Sequence, residues 1–146
     1  MNLEVPSKLL PSFENLTSNK YDTIVWEGGR GGAKSEALVA IGLLESFIDD
    51  GVILCCREIQ KSINDSLYSA IVSGIHKNKL TNHFKILQNE ITNLVTGAKF
   101  IFAGLKSNIT NIKSINKLRV VLTDEAENIT QNSWDYLRPT PRYGMV

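Results

Sequence analysis

Residues 23–37, "TIVWEGGRGGAKSEA", carry the residue types needed to hold a polyanion. Gly28, Ala33, Lys34 and Ser35 fit the phosphate-binding pattern G-x-x-x-x-G-K-[ST], with Ala33 in place of the second glycine. Gly28, Gly29, Gly31 and Gly32 allow backbone N–H groups to turn inward without Cβ clashes, forming a nest for anionic oxygens. A helix starting at Lys34 would aim its positive end at the same point. Lys34 would then reach β- and γ-phosphates and Ser35 would ligate Mg2+, so a nucleoside triphosphate is the first ligand to consider. Arg30 is either an exposed loop side chain or a cation aimed at the γ-phosphate.

A second chemical group lies in "RVVLTDEAE", residues 119–127, where an apolar run enters two adjacent carboxylates. Beside a phosphate loop, Asp124 is placed to hold Mg2+ across from Ser35, and Glu125 to orient or deprotonate an attacking water. Alone, the pair would read as acids favoured by a helix N-terminus. Glu127 reads as a solvated helix residue.

The elements that must position these groups follow from periodicity. Thr23–Trp26 is predicted as the first strand and Lys34–Ile48 as a helix with apolar residues at helical spacing. Asp49-Asp50-Gly51 is a turn, and Val52–Cys56 an apolar strand suited to a parallel sheet. A second helix is predicted from about Ser62, a plausible N-cap, to Lys77. Period-two alternation at Phe84/Ile86, Ile91 and Phe100/Phe102, with turns at Gln88-Asn89 and Thr96-Gly97, predicts three short strands. Ser107–Lys117 reads as a loop with a helical turn, and Leu118–Thr123 as a further buried strand. The segment 1–20, with Pro6 and Pro11, reads as an irregular or partly helical lead-in, leaving 21–146 as one domain. The sum is an α/β domain with a mainly parallel sheet flanked by helices, both motifs lying at the carboxyl ends of strands.

Bulk properties narrow the classes. The chain has 146 residues, 42% hydrophobic content and a formal charge of +1, enough for one core and without the strong basicity of a dedicated DNA binder. No apolar run of membrane-spanning length and no secretory leader pattern is visible. Adjacent Cys55 and Cys56 match no zinc or redox spacing and read as reduced core thiols. Together these favour a cytoplasmic protein.

The strings "GGRGGAKS", "ILCCREIQKSINDS", "FIFAGLKSNITNIKSI" and "VVLTDEAENITQNSWDYLRPT" resemble the N-terminal ATPase domain of the phage terminase large subunit, of the PBSX and P22-like prophage type. The resemblance runs over roughly residues 20–142 and implies a P-loop NTPase of the additional-strand type. It implies ATP hydrolysis with Mg2+, coupled to translocation of double-stranded DNA, in a homo-oligomeric ring working with a small terminase subunit and a portal protein in the bacterial host. By the same resemblance, Lys34 and Ser35 contact phosphate and magnesium, Asp124 is the Walker B acid, Glu125 the catalytic glutamate and Arg30 a cis-acting arginine. Arg57 matches an arginine that approaches nucleotide, DNA or a neighbouring subunit, or is a surface charge. Lys106, Lys113, Lys117 and Arg119 form either a DNA or subunit contact or a solvated basic loop.

Two departures from the pattern carry expectations. Ala33 is tolerable if its φ stays negative or the loop shifts slightly. Full-length terminases continue into a coupling strand and a nuclease domain that lie beyond these residues, so the domain is expected to be incomplete at its C-terminus and to lack nuclease activity. A non-catalytic prophage remnant, binding at most nucleotide or a phage partner, and another P-loop DNA-dependent ATPase are the competing readings.

Overall fold

The computed structural model describes residues 23–29, 33–59, 67–139 and 144–145, with isolated positions 7, 10, 11 and 14. Arg30, Gly31, Gly32, Ser62 and nearly all of the lead-in fall outside these. Along the chain come α1 (Lys34–Ser46), β1 (Val52–Arg57), α2 (Ser69–Lys77), β2 (Phe84–Leu87), β3 (Glu90–Asn93), β4 (Lys99–Gly104), α3 (Leu105–Ile112), β5 (Leu118–Thr123), α4 (Gln131–Leu137) and β6 (Gly144–Met145). The strands form one six-stranded sheet in the order β2-β3-β4-β1-β5-β6.

The sheet is mixed. β1 pairs in parallel with β4 and β5, and β5 with β6, whereas β2–β3 and β3–β4 are antiparallel. The apolar runs β1 and β5 have parallel neighbours and the period-two β2 and β3 antiparallel ones, while β4, also of period two, joins the halves by pairing in parallel with β1 and antiparallel with β3.

Side chains alternate between two cores. Ile53, Cys55, Phe100, Phe102, Val120 and Leu122 face α1 and α2. Leu54, Cys56, Leu118 and Val121 face the opposite layer with Leu105, Ile112 and Leu137 from α3 and α4. Full burial of each such aliphatic side chain contributes about 1.5–3 kcal/mol. Both cysteines are free and buried. Burial pushes the Cys55 thiol well up and the Cys56 thiol up to about 12, in the latter case against a hydrogen bond with Thr123 and with help from the Glu58 charge.

Helix α2 lies close on α1 because Gly74 has no side chain: a Cβ there would sit 2.3 Å from Val39 Cγ1. Helix α1 comes equally close to the sheet at Gly42, where a Cβ would meet Leu122 Cδ1 at 2.9 Å.

Three expectations are corrected. Thr23–Trp26 is not a strand: Thr23 makes one bridge, residues 24–29 have no regular structure and Val25 is 71% exposed. An apolar run becomes a strand only where a neighbouring edge supplies ladder partners, and the outer strand β6 spans two residues paired to Val120 and Val121. Ser107–Lys117 is not mainly loop, because α3 begins at Leu105; with Ile109 and Ile112, Leu105 completes an i, i+4, i+7 stripe against the second core. The segment after Thr130 holds an unforeseen helix, α4, whose N-cap Thr130 accepts from Ser133 N–H. A fourth, at Ala33, is narrowed and belongs to the site.

Candidate functional site

The carboxyl ends of β1 and β5 open on a cleft of about 1180 Å³, lined on one side by Gly28, Gly29, Ala33, Lys34 and Ser35 and on the other by Thr123, Asp124 and Glu125. Helix α1 runs from this cleft toward the opposite end of the sheet, so its N-terminal turn faces the acids. The two chemical segments, far apart in sequence, therefore share one cleft, and Trp26 and Trp134 also line it.

On the loop side, Lys34 Nζ donates to the carbonyls of Gly28 and, at 2.9 Å, of Gly29. The ammonium thus folds back over the glycine segment at the head of α1. Ala33, the residue before α1, adopts φ 58° and ψ 13°. That left-handed conformation removes the first of the two alternatives, a negative φ, and it costs a residue with a Cβ about 1 kcal/mol relative to glycine. The chain has the backbone a glycine would give, with an alanine in it.

On the acid side, strand register does the positioning. Cys56 pairs with Thr123, and Asp124 N–H donates to the Cys56 carbonyl at 3.1 Å. Alternation along β1 and β5 then turns Arg57 and Asp124 to the α1 face, while Cys56 and Thr123 share a 3.5 Å hydrogen bond on the other. Arg57 donates to Asp124 Oδ2 from Nε at 3.1 Å and from Nη2 at 2.6 Å, and Nη2 lies 3.0 Å from Glu125 Oε1. The Arg57 side chain is 12% exposed. Glu125 itself has φ 53°, and its N–H donates to Asp124 Oδ1 at 3.1 Å. A left-handed non-glycine residue in a cleft is strain of the kind found at functional sites.

Sequence reasoning missed Glu58. It is 8% exposed and accepts from Thr130 N–H at 3.3 Å, Thr130 Oγ1 at 3.2 Å and Ser133 Oγ at 3.2 Å, while its carbonyl accepts from Lys106 N–H at 3.0 Å. Consecutive residues at the end of β1 thus hold opposite faces: Arg57 the acid pair, Glu58 the start of α4. The signal was available in Thr130-x-x-Ser133, a helix-capping pattern that needs an acceptor or donor nearby.

The four basic residues near α3 do not form one patch. Arg119 is 11% exposed and donates to Glu45 Oε2 at 2.5 Å and Asp49 Oδ2 at 2.6 Å, at the amino end of the sheet. Lys117 pairs there with Asp50 and holds that exposed carboxyl below its usual range. Lys113 lies 4.0 Å above the Tyr136 ring, and Lys106 is exposed at the start of α3. Each of Arg119, Lys117 and Lys113 is thus engaged with a group of its own chain. Arg57 likewise is engaged with the acids of its own chain rather than being a surface charge.

Among the described residues, no three His, Cys, Asp or Glu side chains are grouped to hold a metal. The oxygen donors Ser35 and Asp124 suit Mg2+, which is commonly bound by one or two protein groups together with substrate phosphates and water. No described helix is long and apolar enough to cross a membrane.

A mixed α/β domain with an anion-suited loop and an acid pair at the carboxyl ends of its strands belongs with ligand-binding α/β proteins. The family model described as phage terminase large subunit matches residues 20–144, and the chain belongs to that family. It is accordingly of the kind that forms a component of the phage DNA-packaging motor. No curated protein matches the chain in sequence.

Proposed function

We propose that the cleft binds Mg-ATP and hydrolyses it to drive double-stranded DNA into a phage capsid, within a P-loop domain of the additional-strand type. The observation that carries this reading is the single cleft shared by Lys34 and Ser35 at the head of α1 and by Asp124 and Glu125 after β5. In it, Lys34 leaves the Gly28 and Gly29 carbonyls to neutralise phosphate, an exchange of neutral acceptors for charged ones that favours the more highly charged ligand. Ser35 and Asp124 would hold Mg2+, which when bound polarises the phosphoryl oxygens. Glu125 accepts the proton of the attacking water, its left-handed backbone aiming the carboxylate into the cleft. Arg30 remains assigned to the γ-phosphate by family resemblance, with Gly31 and Gly32 in the same loop; all three lie outside the described residues.

The motor requires partners. The small terminase subunit, the portal protein and a homo-oligomeric ring of the large subunit follow from the family, as does action in the cytoplasm of the bacterial host.

Mg2+-dependent binding of a fluorescent ATP analogue, followed by phosphate release in the presence of double-stranded DNA, tests the proposal. Wild-type protein should bind the analogue, and Lys34→Ala should weaken it at least about tenfold, as expected for loss of a charge-assisted contact. Absence of binding by the wild type, or equal binding by the variant, would sink the assignment.

A further inference from the structure

Every carboxylate oxygen of the acid pair already has a donor from the protein. Asp124 Oδ1 accepts from Glu125 N–H, Asp124 Oδ2 from Arg57 Nε and Nη2, Glu125 Oε1 faces Arg57 Nη2 at 3.0 Å, and Glu125 Oε2 faces Asn128 Nδ2 at 3.5 Å. Asp124 Oδ2 has both lone pairs taken by Arg57 while Oδ1 accepts a single donor, so a cation can reach Oδ1 only against the charge of the neighbouring guanidinium. The Glu125 N–H is fixed in the backbone, and the guanidinium is the donor on a side chain long enough to move. Resting on the Mg-ATP reading of this cleft, the geometry points to Arg57 as an electrostatic latch. It occupies Asp124 Oδ2 in the ligand-free state and sets its charge against an incoming cation, so tight cation binding requires it to move away.

Three features make Arg57 suited to this role. A guanidinium keeps its charge at every accessible pH, so it is removed by displacement and not by deprotonation. The β1–β5 register delivers it to Asp124 without any loop rearrangement. The cleft beside it is also the site proposed for phosphate, so an anionic ligand offers the displaced guanidinium a second partner of the same chemistry as the carboxylates. Cation and nucleotide then load cooperatively: each removes a cost that the other would meet alone. Arg57 is thus a positioning residue that delays divalent-cation binding until nucleotide is present.

The test is Mn2+ binding to the whole chain, read without nucleotide by the electron paramagnetic resonance signal of free Mn2+ and with ATP by equilibrium dialysis, taking as bound the Mn2+ in excess over the protein-free Mn-ATP compartment. Without nucleotide, Arg57→Gln should bind Mn2+ at least about tenfold more tightly than wild type, because a cation competing for the same carboxylate has gone. Arg57→Lys, which keeps the charge but loses the fork, should fall between the two, and it carries the test if Arg57→Gln fails to fold by circular dichroism. With saturating ATP the gap between wild type and Arg57→Gln should shrink. An arginine that merely supports the fold would give unchanged or weaker Mn2+ binding when removed, and that result overturns the latch. If wild type binds Mn2+ with ATP and only the gain in Arg57→Gln is missing, the latch alone fails. If no form binds Mn2+ even with ATP, the Mg-ATP reading fails with it.

Discussion

The two ends of the central strands carry the same ionic device and use it differently. At the carboxyl end Arg57, 12% exposed, grips Asp124 and Glu125; at the amino end Arg119, 11% exposed, grips Glu45 and Asp49. Burial and pairing do not distinguish them. The backbone and the surroundings do. Glu45 is the penultimate residue of α1 and Asp49 sits in the turn after it, where Asp49 Oδ1 also accepts from Gly51 N–H at 2.8 Å. Asp124 and Glu125 follow a strand end directly, Glu125 is in the left-handed region, and both line the cleft that holds Lys34 and Ser35. An arginine with two carboxylates is therefore a fastening at one end and part of a candidate site at the other. A contact diagram alone would not separate the two.

Charge removal at the two ends should break this likeness most visibly. Glu125→Gln keeps shape and loses the base, and DNA-stimulated phosphate release should fall by about 10²-fold or more. Glu45→Gln, the matching change at the amino end, should leave turnover within about twofold when assayed below its unfolding temperature. Equal losses would mean that both clamps are structural. Turnover undiminished in Glu125→Gln would remove Glu125 from the chemistry.

Between the clamps, β1 buries two thiols, and their ionisation reports whether the strand stays sealed. Cys56 is held up at about 12 by burial first, against a reference value of 9.0, and Cys55 is raised as well. Folded-state values above the unfolded ones mean that the native form keeps protons the unfolded chain releases. The associated stability is whole below pH 9.0 and is lost as pH rises toward about 12. The unfolding free energy from urea titrations over that window should fall by about 1.4 kcal/mol per pH unit for each thiol while the native form stays protonated. A Cys55→Ala/Cys56→Ala double variant should lose most of this slope. Thiol-reactive dye should label the wild type only on unfolding. Labelling of the native protein would show that the sheet opens between its clamps.

The amino-end clamp itself should appear in stability and not in ligand binding. Arg119→Met keeps the apolar stem and strands Glu45 and Asp49 without their fork. Asp49 is 45% exposed and water compensates part of the loss, so the cost is set at about 2 kcal/mol, below that of a fully buried pair. Urea unfolding measures it. Mn2+ affinity should not move, in contrast to Arg57→Gln; a matching rise in both variants would mean that net charge, not position, governs cation binding.

How much of this was legible depended on whether the signal was local. The runs Val52–Cys56 and Leu118–Thr123 announce buried parallel strands because both faces of the sheet are covered, as the alternation into two cores bears out. Helix α1 was readable to within its last turn, since Phe47 and Ile48 fit the apolar spacing but form the turn that ends it. Thr23–Trp26 misled because its residues suit a strand while only Thr23 makes a bridge. Helix α3 hid because its apolar stripe starts directly after β4, at Leu105, ahead of the polar Ser107–Lys117 stretch that reads as loop. Arg57 and Asp124 lie 67 residues apart, and Arg119 and Glu45 lie 74 apart. No spacing rule brings such residues together; register does. The chemical types at the cleft were readable, and which cation served which carboxylate was not.

The smallest effect tests the loop side of the cleft, where strain and pattern meet at one atom. Ala33 carries a Cβ at φ 58°, while Glu125 carries a side chain at φ 53° across the cleft. If both are held for function, relieving either should leave or raise stability and change ligand binding only at the residue whose side chain is used. Ala33→Gly removes no functional group. It relieves about 1 kcal/mol of left-handed strain, offset in part by the greater freedom of glycine in the unfolded chain, so a net gain of about 0.5 kcal/mol is expected. The urea midpoint should rise slightly and ATP-analogue affinity should hold or improve, because the change completes the pattern with Gly28, Lys34 and Ser35. Glu125→Gly relieves the same kind of strain but deletes the carboxylate and its ion pair with Arg57, so stability should stay about level while turnover is lost. A drop in stability for Ala33→Gly would show that the alanine methyl packs against the loop, and that the left-handed turn is held by that contact rather than tolerated in spite of it.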